Sequence, residues 1–226
     1  MRSIACAIVA GALLSPATVA SSAPSFPCDQ AQSRAEKAIC ASGELSALDE
    51  DLGRYYHAAR QALGRAGDCL AADQRQWLRT VRDACADGAC LEKAYLARLS
   101  ELDALQPGAT AIKRLPLPAG PSLVWIVPAA QDQVAAPPRA NARPLVARGA
   151  LVDDLAGGDG FLLRTAEGMS YLLLLAMFVE ADSATRLAVL AKEAPATFLA
   201  RGHAATNSRG ETYFEPSRCV LIYRLP

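Results

Sequence analysis

The chain has 226 residues, with 23 basic and 23 acidic side chains and a formal net charge of zero at pH 7. Without net positive charge it lacks the general electrostatic attraction for polyanions, so we expect no nucleic-acid partner.

The N-terminus is organised like a cleavable secretory signal. Arg2 supplies a positive charge, residues 4–14 are apolar, and residues 17–23 are small and suited to cleavage. The apolar stretch is shorter than the roughly 20 residues that span a bilayer. We therefore predict a signal peptide over residues 1–22, loss of Cys6 with it, no integral membrane segment in the mature chain, and a periplasmic or secreted protein.

Residues 24–105 are predicted to form a small helical domain. Apolar side chains recur every three or four residues at Leu45, Leu48, Leu52, Tyr55, Ala59 and Leu63. Ser42 is the expected N-cap of this helix, and Gly64 follows its end. A further helix is expected from about Ala71, with Trp77, Leu78 and Val81 turned inward. The consecutive acids Asp49, Glu50 and Asp51 are expected to lie on a solvated helix face.

Six cysteines remain after the predicted signal peptide: Cys28, Cys40, Cys69, Cys85, Cys90 and Cys219. An even number in an exported chain indicates disulfide bonds, which a helical domain this small needs for stability. The sequence-local pairs are Cys28–Cys40 and Cys85–Cys90. Cys69 and Cys219 are left over, and their pairing would tie the helical domain to the last strand. Six cysteines allow 15 connectivities, so the sequence alone leaves alternatives open.

Residues 106–144 are rich in proline and are predicted to be an extended linker and the domain boundary. Within this segment, residues 123–127 are the one strand candidate, expected at a sheet edge.

Residues 145–226 are predicted to be a β-rich domain. Three strand candidates precede a helix over residues 182–193, and two more strands follow it. The apolar run over residues 171–179 is too short to span a membrane and is assigned to the third strand. The order β-β-β-α-β-β is that of an OB-like barrel, and a generic β-rich α+β domain is the alternative. The predicted fold class is thus a two-domain α+β protein.

No pattern in the sequence indicates catalysis. The chain has two histidines, His57 and His203, no Gly-x-Ser-x-Gly motif and no convincing pair of catalytic carboxylates. Cys-x-x-Cys spacing typical of zinc sites is also missing from the sequence. We predict no catalytic residue, no cofactor and no metal site.

The helical segment carries a specific series of short motifs. They are Cys28, residues 34–40 (RAEKAIC), 44–49 (ELSALD), Tyr55-Tyr56, 74–78 (QRQWL), 82–85 (RDAC), Cys90-Leu91, Tyr95 and Arg98. In order and spacing, residues 28–105 resemble the N-terminal domain of the LprI-like lysozyme inhibitor family. The resemblance implies a secreted helical domain that blocks lysozyme. Cys69 and the β-rich segment lie outside the pattern.

The loop between Cys85 and Cys90 is the predicted partner-binding site, with Asp83, Asp87 and Gly88 offered to a basic partner. A second interpretation, favoured because most such charges are structural or simply solvated, is that nearby charges such as Arg82 and Asp83 form internal ion pairs that fix the loop. The predicted function is a non-catalytic binding protein, with lysozyme or another envelope protein as its partner. Two alternatives stand beside it, an envelope adaptor that binds a protein or glycan through the barrel and a cell-wall-modifying enzyme.

Overall fold

The computed structural model describes residues 23–106, 112, 115–130, 143–158, 160–175, 180–193 and 195–226. The predicted signal peptide, residues 107–111, 113–114 and 131–142 of the predicted linker, and the end of the strand expected up to residue 179 lie outside this part of the chain.

The described residues form five α-helices and one antiparallel sheet of seven strands, which confirms the α+β class. The helices are α1 (Arg34–Ala41), α2 (Gly43–Ala62), α3 (Gly67–Trp77), α4 (Gly88–Asp103) and α5 (Ala181–Ala191). The strands are β1 (Ser122–Val127), β2 (Arg143–Asp154), β3 (Gly160–Arg164), β4 (Ser170–Leu175), β5 (Phe198–Thr206), β6 (Thr212–Phe214) and β7 (Val220–Arg224). Within this described part, no helix is both long and apolar enough to cross a membrane.

Local sequence signals set the starts of the first two helices. The Ser33 side chain accepts a hydrogen bond from the Glu36 amide at 3.1 Å, and the Glu36 carboxylate accepts one from the Ser33 amide at 2.9 Å. This capping box satisfies two amides that a helix N-terminus otherwise leaves unpaired. Ser42 caps α2, as predicted, by accepting from the Leu45 amide at 3.3 Å. Gly64, which follows α2, takes a positive φ of 51°.

A π-helical turn over Leu78–Arg82 follows α3 directly. Its wider turn changes which side chains face the core. The inward orientation predicted for Val81 is therefore wrong, since Val81 is 41% exposed, whereas the Arg82 side chain is buried.

The helices and one face of the sheet share a hydrophobic core. Ile39, Tyr55 and Leu99 from the helices belong to the same buried cluster as Leu123 of β1 and Tyr223 of β7. The strand predicted at residues 123–127 is thus present, lies at the sheet edge and packs under the helices.

The strands pair in the order β1-β7-β5-β2-β3-β4, and β6 pairs with the far end of β5. The OB-like barrel that was predicted is not confirmed, because the sheet is not closed across its described strands. Closure of the five predicted strands would require β4 to pair with β7. That edge of β7 is occupied by β1, whose residues pair from Ser122↔Arg224 to Val127↔Val220.

The opposite face of the sheet has its own core. Leu187 and Leu190 of α5 are fully buried in a cluster with Phe161, Phe198 and Ile222 from three different strands. The sheet is therefore covered by α1–α4 over part of one face and by α5 on the other.

A polar junction also joins the helices to the sheet. Arg98 of α4, 2% exposed, donates to Gln74 at 3.0 Å, to Glu101 at 2.6 Å and to Asp73 at 2.7 Å. The other oxygen of Asp73 accepts from Arg201 of β5 at 2.5 Å. Burial acts to lower the pKa of Arg98, but the carboxylates of Glu101 and Asp73 outweigh it and raise the pKa.

Three disulfides are present, Cys28–Cys40, Cys85–Cys90 and Cys69–Cys219, so the prediction of disulfide bonds is confirmed. The third bond joins α3 to the residue before β7, across a sequence separation of 150 residues. It is a covalent link between the helical part and the sheet.

We expect the long-range disulfide to stabilise the protein more than a local one. In the chain-entropy account, Cys69→Ala/Cys219→Ala lowers the free energy of unfolding by about 5 kcal/mol, and Cys28→Ala/Cys40→Ala by about 3 kcal/mol. Urea unfolding of both double variants measures the difference. Equal losses would show that loop closure is not the source of the stability.

Candidate functional site

The residues predicted to bind a partner lie where the π-helical turn gives way to α4. Asp87 is the N-cap of α4, and its Oδ1 accepts a hydrogen bond from the Cys90 amide at 2.9 Å. Gly88 is the first residue of the helix. Asp83 and Asp87 are both exposed on either side of the buried Cys85. The structure therefore places all three predicted residues on one short surface segment.

Asp83 also takes part in an internal ion pair, as the second interpretation of the sequence predicted. Arg82 Nε donates to Asp83 Oδ1 at 2.7 Å, and Arg82 Nη2 lies 3.4 Å from Glu36 of α1. Burial acts to lower the pKa of Arg82, but the hydrogen bond and charge of Asp83 outweigh it and raise the pKa. Arg82 thus remains charged and links the loop to the first helix.

The loop backbone is held to α1 by a second contact. Arg34 Nη2 donates to the Cys85 carbonyl oxygen at 2.9 Å. Together with the Cys85–Cys90 disulfide and the Asp87 cap, this contact fixes the segment before any partner arrives.

A surface groove begins beside this loop. It has a volume of about 750 Å³ and runs between α1, α2 and α4. Its described lining residues are Ala38, Ala41, Ser42, Glu44, Leu45, Ala47, Leu48, Asp51, Gly88, Glu92, Leu96, Leu115 and Pro116. We call it the acidic groove, because its described lining includes three carboxylates and no lysine or arginine. Asp51 is ion-paired with Arg54, so the exposed Glu44 and Glu92 carry most of its negative charge.

A second groove, of about 660 Å³, lies on the other side of α4 and adjoins the first at Glu92, Leu96 and Pro116. The extended chain before β1 borders it and is attached to α4 by a hydrogen bond from Ser100 Oγ to the Pro118 carbonyl oxygen at 2.6 Å. The exposed Val81 lines this groove. The face of α4 between the two grooves is therefore bordered by apolar surface on both sides.

Buried polar bonds hold the helices that form the acidic groove. The prediction that Asp49 and Asp51 lie on a solvated face is wrong, since they are 4% and 2% exposed. Asp49 Oδ1 accepts from the Tyr95 hydroxyl at 2.7 Å, and its Oδ2 accepts from Ser25. Burial, reinforced by the Asp49 charge, raises the pKa of Tyr95 well above its usual range. A tyrosine on α4 thus supplies the partner that makes burial of this carboxylate possible.

The fold and the site define a disulfide-bonded α+β protein whose helical part carries an acidic groove beside a disulfide-closed loop. Residues 28–108 match the family model described as Lysozyme inhibitor LprI. The resemblance predicted for the helical segment is therefore confirmed, and the match does not extend over the sheet beyond residue 108. No curated protein and no solved structure matches the chain.

The Asp87 cap gives a prediction that separates its structural role from its charge. Asp87→Ala removes the acceptor for the Cys90 amide and should lower the free energy of unfolding by about 1 kcal/mol. Asp87→Asn keeps an equally good capping oxygen and should stay within a few tenths of a kcal/mol of the wild type. Thermal or urea unfolding measures both. A loss in Asp87→Asn as large as in Asp87→Ala would show that the charge, rather than the cap, stabilises the helix.

Glu36 gives a prediction about acid stability. Its backbone hydrogen bonds from Ser33 and Gln32, helped by Arg82, lower its pKa from the ordinary value of 4.5. A carboxyl whose pKa is lower in the folded state adds stability above the unfolded-state pKa, and this stability disappears as the pH falls through the folded-state pKa. Glu36→Gln should therefore weaken the dependence of the urea midpoint on pH below about pH 4.5. Glu50→Gln, at an exposed position of α2, is the matched control, and an equal effect in both variants would contradict this origin.

Proposed function

We propose that this protein is an exported, non-catalytic binding protein that inhibits lysozyme through its helical part. The observation that carries the proposal is the match of residues 28–108 to the lysozyme inhibitor family. The disulfides support an extracytoplasmic location, because such bonds persist in oxidising compartments such as the periplasm and the cell exterior. In this proposal residues 1–22 direct export and are then removed.

We infer that the binding surface combines the Asp83–Gly88 segment with the acidic groove. Gly88 belongs to both, since it starts α4 and lines the groove. The groove offers apolar side chains such as Leu45 and Leu96 for burial, with Glu44 and Glu92 at its margin. An apolar centre with charged groups at its edge is the usual arrangement of a protein-binding surface. Its negative charge would attract a basic partner and favour the correct orientation.

Rigidity supports the same proposal. A loop that is already fixed loses little conformational freedom when it binds, so more of the interaction energy remains as affinity. The Cys85–Cys90 bond, the Arg34 contact and the Arg82–Asp83 pair all fix the segment in the free protein.

The division of the chain into a helical domain (24–105), a linker (106–144) and a β domain (145–226) also remains a proposal. It assigns inhibition to the helical domain and leaves the sheet as its support. In this proposal the Cys69–Cys219 bond and the Asp73–Arg201 ion pair hold α3 in place against the sheet.

The test is a titration of the oxidised protein against lysozyme acting on a cell-wall suspension. We expect inhibition that is complete near equimolar concentrations and lost on reduction of the disulfides. Asp87→Asn/Glu92→Gln removes two charges while keeping the α4 cap, and should weaken inhibition about tenfold if each exposed pair is worth up to ~1 kcal/mol.

The control is Asp29→Asn/Glu50→Gln, which removes equal charge from exposed positions of the helical part outside the groove. It should inhibit like the wild type. Full inhibition by both double variants would place the binding surface elsewhere. If the wild type inhibits none of the lysozyme classes tested, the proposed function is wrong.

A further inference from the structure

Strand β2 has two partners, each along only part of its length. Arg143–Gly149 pair with β5 on one side, and Ala150–Asp154 pair with β3 on the other. β3 ends at Arg164, opposite Ala150, and the chain then turns into β4. Among the described residues, no strand pairs with the β3-side edge of residues 143–149. A segment of strand edge in the middle of the sheet therefore has no pairing strand, although the backbone of Arg164 and Thr165 packs against Gly149 at one end of it.

This edge borders a groove of about 750 Å³ between residues 146–150 and the turn after β3. Two large apolar side chains line it and are unusually exposed, Val146 at 58% and Met169 at 52%. The groove is distinct from the acidic groove, because the two share no described lining residue.

Two arginines, Arg148 and Arg164, outnumber the one carboxylate, Glu167, among the described residues that line this groove. Arg148 lies two residues before Ala150, and Ala150 pairs directly with Arg164, so both arginines lie on one face of the sheet. Both are exposed, and no described residue forms a hydrogen bond or an ion pair with either guanidinium. Unpaired guanidiniums at this spacing favour carboxylates, which they bind with charge-assisted hydrogen bonds.

We propose that the open edge of β2 binds an extended acidic peptide segment of a partner protein by adding it to the sheet as a strand. Backbone hydrogen bonds to residues 143–149 supply the pairing. Alternate side chains of a strand point to the same face and lie about 6.6 Å apart. Carboxylates at alternate positions therefore reach the face that carries Arg148 and Arg164, which is also the face of Val146. The apolar residues between the carboxylates lie on the opposite face of the added strand. This function uses different residues from lysozyme inhibition and does not depend on it.

The test uses the full oxidised protein and three fluorescently labelled eight-residue peptides. In the first, glutamate alternates with valine; in the second, lysine replaces glutamate; in the third, proline replaces valine, which removes the amides that a sheet requires. Only the first should bind. Arg148→Ser/Arg164→Ser should weaken its binding at least about tenfold. Arg75→Ser/Arg209→Ser, which removes the same charge from exposed positions outside the groove, should leave binding unchanged within about twofold.

Hydrogen exchange then identifies the mode of binding. The first peptide should protect amides within residues 143–149. If the glutamate-proline peptide binds as tightly as the glutamate-valine peptide, charge attraction alone explains binding without strand addition, and the proposal is overturned. Binding of the lysine peptide, unchanged binding to Arg148→Ser/Arg164→Ser, or the lack of new protection in β2 would also overturn it. None of these results bears on inhibition of lysozyme, so the two proposals fail separately.

Discussion

The arrangement of helices and sheet depends most on the carboxylate of Asp73, which accepts hydrogen bonds from both. One oxygen accepts from Arg98, buried in the helical core, and the other accepts from Arg201 of β5, which also donates to Tyr223 at 2.6 Å. A buried guanidinium must keep its partners, since removing one partner of a buried pair typically costs about 3–5 kcal/mol. The position of α3 is thus tied to that of the sheet, close in sequence to the Cys69–Cys219 bond.

This junction also fixes the helices that form the acidic groove. Arg98 lies on α4, which is capped by Asp87, begins at Gly88 and carries Leu96 in its middle. Tyr95, on the same helix, bonds to the buried Asp49 of α2 and so sets the distance between the two walls of the groove. The acidic groove is therefore shaped by polar bonds beneath it, and the loop beside it is fixed by the Cys85–Cys90 disulfide and the Arg34 contact.

Most features predicted correctly from sequence have local causes; the Cys69–Cys219 pairing, which the sequence offered as one possibility, spans 150 residues and is the exception. The Ser42 cap, the helical character of residues 34–103 and the local cysteine spacings need only neighbours in the chain, although α3 begins at Gly67 and not near Ala71. Two predictions, one wrong and one not confirmed, depended on distant partners, whereas the error at Val81 has a local cause, the π-helical turn after α3. Burial of Asp49 requires Tyr95, which lies 46 residues away. Closure of the barrel is prevented by β1, a strand from the proline-rich segment that pairs with β7. The acidic groove is lined by residues of three helices and by Leu115 and Pro116, so no single sequence motif could predict it.

The central claim is that the helical part, and the acidic groove in particular, binds lysozyme. Hydrogen exchange of the whole oxidised protein, measured by mass spectrometry with and without lysozyme, tests it most directly. The account predicts slower exchange in peptides covering residues 38–51 and 83–96, with little change in β2–β4. Protection confined to the sheet, or the same exchange with and without lysozyme, would contradict it.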